Sequence, residues 1–170
     1  MISKGVQEAA SEISQTFYHT DPLFMTVAMG GRPYASSLIQ KLRNCTSWAC
    51  ENIEVRTSSY DGTERGTMGP IEFMDPLDTK RIYGRDIVVL DDIFETGSTM
   101  KAIHEMLDGM GAKSVTYSTL IYRVYGQIAK NPSLISAFDV HEDDFLVGYG
   151  MDMDGEYRND RNISRVVFTD

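Results

Sequence analysis

The sequence contains few cysteines and no long apolar run. Cys45 and Cys50 are the two cysteines among 170 residues. No second Cys or His pair stands near them, so a zinc site is not predicted. Two reduced thiols are typical of a cytosolic protein, and the cytoplasm is the expected location. No apolar run reaches the ~18 residues of a membrane span, and the polar start of the chain predicts no secretory signal.

Basic residues are outnumbered by acidic ones. The chain has 16 Lys and Arg against 25 Asp and Glu, which gives a formal net charge of -9. This balance argues against broad nucleic-acid binding, because such binding needs a basic face to displace counterions from phosphates. A small polyanion could still bind through clustered backbone N–H groups, a few arginines and a metal ion. We therefore expect small-molecule substrates, and neither a nucleic acid nor a membrane as partner.

Short β-favouring runs alternate with amphipathic segments along the chain. This alternation predicts a three-layer α/β fold, with a mostly parallel sheet flanked by helices, in one domain covering 1–170. The clearest strand is the apolar run 86–90, followed directly by Asp91-Asp92. Helices are predicted over 3–17, from Pro33 at a first helical position, and from Thr99 to about Gly109; the other strands are 24–29, 53–60, 71–73, 115–122, 145–149 and 163–168.

The segment from Asp91 to Thr99 carries the strongest chemical signal. Two acids at the carboxyl end of a parallel strand lie where open α/β sheets bind ligands. The turn Thr96-Gly97-Ser98-Thr99 then opens a helix, and such a turn offers backbone N–H groups and a positive helix end to a phosphate. Carboxylates for hydroxyl groups beside a phosphate cradle suit a sugar phosphate. The alternative is a simple helix start with capping hydroxyls.

Four motifs in this sequence together resemble those of the type I phosphoribosyltransferases, and in particular the hypoxanthine-guanine phosphoribosyltransferases. The string 88–99 is similar to that family's motif for binding 5-phosphoribosyl 1-pyrophosphate (PRPP). Residues 27–31 resemble its pyrophosphate loop, 58–62 the start of its catalytic lid, and 145–152 with Tyr157-Arg158 its purine-binding hood. The motifs follow the family's order and span nearly the whole chain.

The resemblance implies a core over about 1–144 and a small hood from about 145–170 that also uses the N-terminal segment. It implies that the chain transfers phosphoribosyl from PRPP to hypoxanthine, and possibly guanine, with Mg²⁺ as cofactor and as a homodimer or homotetramer. The implied PRPP and phosphate ligands are Asp91, Asp92, Thr96, Gly97, Ser98, Thr99, Gly30, Gly31 and Arg158. The implied metal ligands are Asp91, Asp92 and Asp152, the purine contacts Arg123, Phe145 and Leu146, and the catalytic residues Glu95, Ser59 and Tyr60.

Three positions depart from that family. Glu95 stands where Asp is common and serves as the proposed base at purine N7. Met29 stands in the pyrophosphate loop, and Arg123 stands at the position that reads the purine 6-oxo group, where the family usually has Lys. The alternatives are an enzyme specific for xanthine or guanine, or a regulatory protein of the same fold that binds PRPP. For Arg123 the alternative is a side chain that points to solvent or pairs with an acid between Asp139 and Asp144.

The polar stretch 61–69, with Gly62, Gly66 and Gly69, has two interpretations. It is either an ordinary surface loop or a lid that closes over the reacting centre. The resemblance favours the lid.

Overall fold

The computed structural model describes residues 1–59, 68–74, 79–123, 133–140 and 144–167. All statements about structure refer to these ranges. The helices are α1 (Ile2–Thr16), α2 (Arg32–Cys45) and α3 (Ser98–Gly109), with a short 3-10 turn at Thr79–Arg81. The strands are β1 (Leu23–Ala28), β2 (Asn52–Ser59), β3 (Met68–Phe73), β4 (Asp86–Phe94), β5 (Ser114–Arg123), β6 (Leu134–Val140), β7 (Phe145–Val147) and β8 (Ser164–Val166).

Six strands form a sheet in the order β3-β2-β1-β4-β5-β6. All neighbouring pairs are parallel except β2 and β3, which are antiparallel. Strands β1 and β4 sit at the centre, and every residue of β1 is buried. Apolar side chains on both faces of a strand are expected where a parallel sheet is covered on both sides.

Helices cover both faces of this sheet. On one face, Val6, Ile13 and Leu38 from α1 and α2 pack with Val88 and Leu90 of β4 in one apolar cluster. On the other face, Ile103 and Leu107 of α3 pack against Ile87 and Val89, the alternate residues of the same strand. The alternation places each strand between two cores. The predicted three-layer α/β fold with a mostly parallel sheet is confirmed.

Two elements differ from the sequence-based expectation. Strand β4 does not end before the two acids but continues through them to Phe94, because its ladder with β5 extends to the pair Phe94–Tyr122. Strand β6 was not predicted. It pairs with β5 at the edge of the sheet and is only partly buried beyond Ile135, so its sequence lacks the apolar pattern of a central strand. Pro33 is the second residue of α2, after Arg32.

Strands β7 and β8 form a separate two-stranded antiparallel sheet. We call residues 144–167, which contain it, the hood. The connection between its strands folds on itself through the isolated bridges Gly148–Met151 and Met153–Glu156. In the described part of the chain, no helix has the length and apolar character required to cross a membrane.

Candidate active site

A cavity of about 460 Å³ lies at the carboxyl ends of β1 and β4, where α3 begins. This is the edge at which open parallel sheets bind ligands, because helix starts and loops converge there. Most of the predicted PRPP-site residues meet in this cavity. Its wall includes Gly30, Asp91, Asp92, Glu95, Thr96, Gly97, Ser98, Thr99 and Arg158.

The turn from Thr96 to Ser98 is shaped by its glycine. Gly97 has φ +79° and precedes the first residue of α3, and its carbonyl accepts a hydrogen bond from the backbone N–H of Lys101 at 2.8 Å. Glycine readily adopts this left-handed backbone conformation, whereas residues with a Cβ do not. The hydroxyls of Thr96 and Ser98 lie 2.9 Å apart. The N-cap residue of α3 is Gly97, and the Ser98 N–H donates to the Thr96 hydroxyl at 3.4 Å. The start of a helix is a favourable place for an anion.

Asp91 is buried at the end of β4, beside the partly exposed Asp92. Burial, and secondly the neighbouring Asp92 charge, raise the pKa of the Asp91 carboxyl well above its ordinary value. Each carboxylate also accepts a hydrogen bond from the next backbone N–H, Asp91 from Asp92 and Asp92 from Ile93, both at 2.9 Å. Two adjacent carboxyls, one of them desolvated, form a site that a cation would stabilise.

The loop Gly30-Gly31 lies against these acids. A Cβ on Gly30 would overlap the Asp92 carboxylate, and one on Gly31 would lie 2.7 Å from the Val27 carbonyl oxygen and 2.9 Å from that of Leu90. Gly31 therefore requires glycine for close approach to backbone atoms, independently of any ligand, whereas a Cβ at residue 30 would require the Asp92 side chain to move. Gly31 also accepts the N–H of Ala35 at 2.9 Å and starts α2. The loop is thus held between β4 and the start of a helix.

Glu95 and Arg123 form an ion pair, with 2.8 Å between the Arg123 Nε and a Glu95 Oε1. The side chain of Arg123 is only 5% exposed, although it is the last residue of β5. Glu95 follows β4, and β4 and β5 are neighbours, so the two side chains extend from adjacent strand ends. A solvent-facing Arg123 is therefore wrong, and Glu95 is a partner that the sequence analysis did not name.

The hood contributes Arg158 and Asp152 as a pair. Arg158 donates from one nitrogen to an Asp152 oxygen at 2.5 Å and from the other to the Gly150 carbonyl at 3.0 Å. Arg158 lines the cavity. Phe145 is 44% exposed and Leu146 is partly buried.

Not all predicted residues meet in the cavity. Among the described residues, its wall does not include Gly31, Arg123, Phe145, Leu146 or Asp152. Tyr60 lies outside the described residues, as do most of the proposed lid residues, and for Ser59 only the backbone at the end of β2 is described. The proposed contacts of Ser59 and Tyr60 stay predictions.

Two polar residues in the cavity wall, Arg56 and Thr57, were not predicted from the sequence. They lie toward the carboxyl end of β2, and Arg56 pairs in register with Ala28 of β1. The available signal was position: polar residues near the end of a parallel strand share the edge that holds the other ligands. Met29 also lines the cavity and is 43% exposed, so the loop presents a thioether at this place.

A phosphate at the start of α3 would share the cavity with Asp91, Asp92 and Arg158. This set of groups suits a ligand with a phosphate, hydroxyls and a second anionic group. The fold and the cavity thus define the class of the protein, an α/β enzyme that acts on a phosphorylated sugar.

Comparison with known proteins makes this class specific. The family model described as "Phosphoribosyl transferase domain" matches residues 1–154. The chain is 32% identical over 158 residues to the hypoxanthine-guanine phosphoribosyltransferase of Bacillus subtilis, covering 93% of this chain and 84% of that protein. It is 29% identical to that of Streptococcus thermophilus, with 90% and 81% covered. The chain belongs to the phosphoribosyltransferase family, among relatives of the hypoxanthine-guanine type.

Solved structures show the same fold. A hypoxanthine-guanine phosphoribosyltransferase from Bacillus anthracis superposes with a TM-score of 0.83 at 24% identity, covering 98% of this chain and 94% of that one. A hypoxanthine phosphoribosyltransferase from Staphylococcus aureus gives 0.77 at 25% identity, with 97% and 88% covered. The likeness extends over nearly the whole of each chain.

Proposed function

We propose that this phosphoribosyltransferase joins a 6-oxopurine, hypoxanthine and possibly guanine, to the ribose 5-phosphate of PRPP, releasing pyrophosphate. The observation that carries the proposal is the single cavity that unites the glycine turn at α3, the Asp91-Asp92 pair, Gly30 and Arg158. The turn would hold the 5-phosphate, the acids the ribose hydroxyls, and Gly30 with Arg158 the pyrophosphate.

Mg²⁺ is the proposed cofactor, and the donor set fits it. Asp91 and Asp92 offer carboxylate oxygens, the donors that this ion prefers. In the described ranges no three His, Cys, Asp or Glu side chains converge, so the protein supplies few ligands and substrate oxygens would complete the shell, as is usual for Mg²⁺. When bound, the ion would neutralise charge that develops on the leaving pyrophosphate. Asp152, held by Arg158, is the proposed residue for a second ion.

Side chains and backbone groups of the protein would then bind the leaving group and accept the proton. The bond from ribose C1 to pyrophosphate breaks and a bond to a purine ring nitrogen forms, through a centre resembling an oxocarbenium ion. Gly30 and Arg158 would hold the departing pyrophosphate. Glu95 would accept the proton that the imidazole ring of the purine loses. Its ion pair with Arg123 would hold the carboxylate near the end of β5 during that transfer.

Arg123 is also the proposed reader of the base. A 6-oxo oxygen accepts hydrogen bonds, so a cationic donor facing it favours oxopurines over adenine, whose 6-amino group is itself a donor. Guanidinium is planar and has five N–H donors, which allows one group to contact both Glu95 and a base edge. Phe145, which is 44% exposed, is the proposed stacking surface for the purine, and Leu146 would offer main-chain groups to the edge of the base.

Initial rates with PRPP, Mg²⁺ and each of hypoxanthine, guanine, xanthine, adenine and uracil would test this function. We expect the highest kcat/KM for hypoxanthine or guanine, and no formation of nucleotide after removal of the metal by EDTA. A preference of tenfold or more for adenine or uracil would overturn the assignment of the base. A higher kcat/KM for xanthine would instead support the alternative specificity.

We also propose a cytoplasmic homodimer or homotetramer, on the strength of the family resemblance. Sedimentation velocity at micromolar concentration would test the assembly. A single species at the monomer mass, 19.1 kDa, would contradict it.

A further inference from the structure

The hood is tied to the core by a hydrogen bond between two side chains that do not line the cavity. The hydroxyl of Tyr149 lies 2.6 Å from that of Ser37 on α2, across 112 positions of sequence. Both side chains are partly buried, and the Tyr149 ring packs against the core cluster formed by α1 and α2. The bond therefore joins the hood to the core beside a second cavity, which both side chains line.

The hood backbone is sharply bent at this tyrosine. Tyr149 has φ +52°, between Gly148 at +92° and Gly150 at +108°. A left-handed conformation is unfavourable for a residue with a Cβ, so its neighbours must hold it in place. They do so through the hydroxyl contact to Ser37 and a backbone hydrogen bond from the Tyr149 N–H to the Asp160 carbonyl at 2.8 Å.

The same bend presses the hood against the glycine loop. A Cβ on Gly150 would overlap the carbonyl oxygen of Gly30 and lie 3.3 Å from Pro33 Cδ. Gly31 and Pro33 belong to the start of α2, the helix that also carries Ser37. One helix therefore supports the glycine loop at its first turn and anchors the hood further along.

Gly150 connects the bend at Tyr149 to Arg158 in the cavity wall. Its N–H donates to the Arg158 carbonyl at 3.0 Å, and its own carbonyl accepts from the Arg158 guanidinium at 3.0 Å. Arg158 in turn binds Asp152 and lines the cavity. A shift of residue 149 relative to α2 would thus move the cation that faces Gly30.

We propose that Tyr149 is a positioning residue, whose hydrogen bond to Ser37 sets the distance between the Arg158–Asp152 pair and the Gly30-Gly31 loop. The ligand whose binding depends on that distance is a pyrophosphate group held between the two. This assignment of the ligand rests on the proposed function.

The test uses Tyr149→Phe, Ser37→Ala and the double variant, with inorganic pyrophosphate and Mg²⁺ titrated by calorimetry. Each single variant removes one hydroxyl and should weaken pyrophosphate binding roughly fivefold to tenfold, the typical effect of one lost hydrogen bond. The double variant should be no weaker than the single variants, because both remove the same bond. Ser37→Thr, which keeps a hydroxyl, should restore most of the binding.

Two matched controls separate this role from general damage. Tyr18→Phe changes a tyrosine that is 76% exposed, and Ser36→Ala changes an exposed serine beside Ser37 on the same helix. Both should bind pyrophosphate as the parent does. In the Tyr149 and Ser37 variants the KM for PRPP should rise while kcat changes less than twofold, and the melting temperature should stay within about 2 °C of the parent.

Binding within twofold of the parent, or losses that add in the double variant, would overturn the proposal. So would a weakening that follows a fall in melting temperature across all variants, since that pattern marks a structural role. Failure of the proposed function is a separate result: the parent would bind pyrophosphate without forming nucleotide from PRPP and hypoxanthine.

Discussion

The segment Asp91–Thr99 and the hood both contribute residues to the wall of the cavity, but they are built in different ways. The first is one continuous run in which strand β4 ends and α3 begins, so its acids and its glycine turn reach the cavity on consecutive residues. The hood reaches the cavity through contacts between residues distant in sequence, such as Tyr149 with Ser37. A continuous segment thus brings several polar groups to the cavity together, whereas the hood brings Arg158 there through contacts with the packed core.

The largest effect on activity is expected in the local segment, from Asp91→Asn. Loss of this carboxylate should lower kcat/KM on the order of a hundredfold or more, as for other groups that stabilise charge in a reacting centre. The fold should gain stability, because burial raises the pKa of Asp91 and its ionised form opposes folding. A gain of about 1 kcal/mol would raise Tm by roughly 2–4 °C in a chain of this size.

The pH dependence of that gain follows from the raised pKa. The protonated carboxyl favours the folded state fully below the ordinary pKa of Asp, and this contribution is lost as pH rises through the higher folded value. The Tm difference between Asp91→Asn and the parent should therefore grow from pH 4 towards pH 8 in metal-free buffer. A difference that is constant or falls with pH would contradict the buried-charge interpretation.

The glycine loop between the two regions should be the most sensitive to added bulk. Gly31→Ala would place a Cβ against two backbone carbonyls that cannot rotate away, those of Val27 and Leu90. We expect a loss of about 2–4 kcal/mol in unfolding free energy, within the range for overpacked and strained sites. Urea denaturation measures it. Gly109→Ala is the control, since nothing lies within 4 Å of its added Cβ; equal losses in both variants would remove the argument from close approach.

The Glu95–Arg123 ion pair joins the ends of two neighbouring strands, and replacing Arg123 tests its role. Arg123→Ala should lower kcat/KM for hypoxanthine roughly tenfold to a hundredfold, since a charged hydrogen bond typically contributes about 1.5–3 kcal/mol. The KM for PRPP should change little, because that site is built from other segments. Arg123→Lys should retain much of the activity. Kinetics of the Ala variant within twofold of the parent would show that Arg123 does not read the base.

The smallest effect is expected from Tyr34→Phe, which compares a tyrosine that packs in the core with the hood residue Tyr149. Tyr34 on α2 is fully buried, and its hydroxyl lies 2.7 Å from that of Ser118 on β5. Tyr34→Phe leaves a buried serine without this partner and should cost about 1–2 kcal/mol of unfolding free energy, with substrate KM values unchanged. Tyr149→Phe should instead raise the KM for PRPP and leave the melting temperature nearly unchanged. If the two variants behave alike in thermal melts and in kinetics, the distinction between core and hood tyrosines is wrong.

Much of the fold and part of the site were predictable because their signals are local. The run 86–90 predicts a buried strand, and the residues Thr96 to Thr99 predict a helix start that binds phosphate. Strand β6 was not predicted, because an edge strand needs few apolar residues and its sequence shows no clear pattern. The end of β4 was placed too early because pairing with β5, which no local pattern reveals, carries the strand through Asp91 and Asp92.

The sequence by itself thus determined the order of most strands and helices, the position of the glycines and the polar groups available at the ends of the strands. Tertiary structure alone decided which distant groups meet: Arg123 with Glu95, Tyr149 with Ser37, and Gly150 with the Gly30 carbonyl. The reason is physical. Backbone periodicity depends on neighbouring residues, whereas a contact between side chains depends on strand register, helix placement and the space left after the cores have packed.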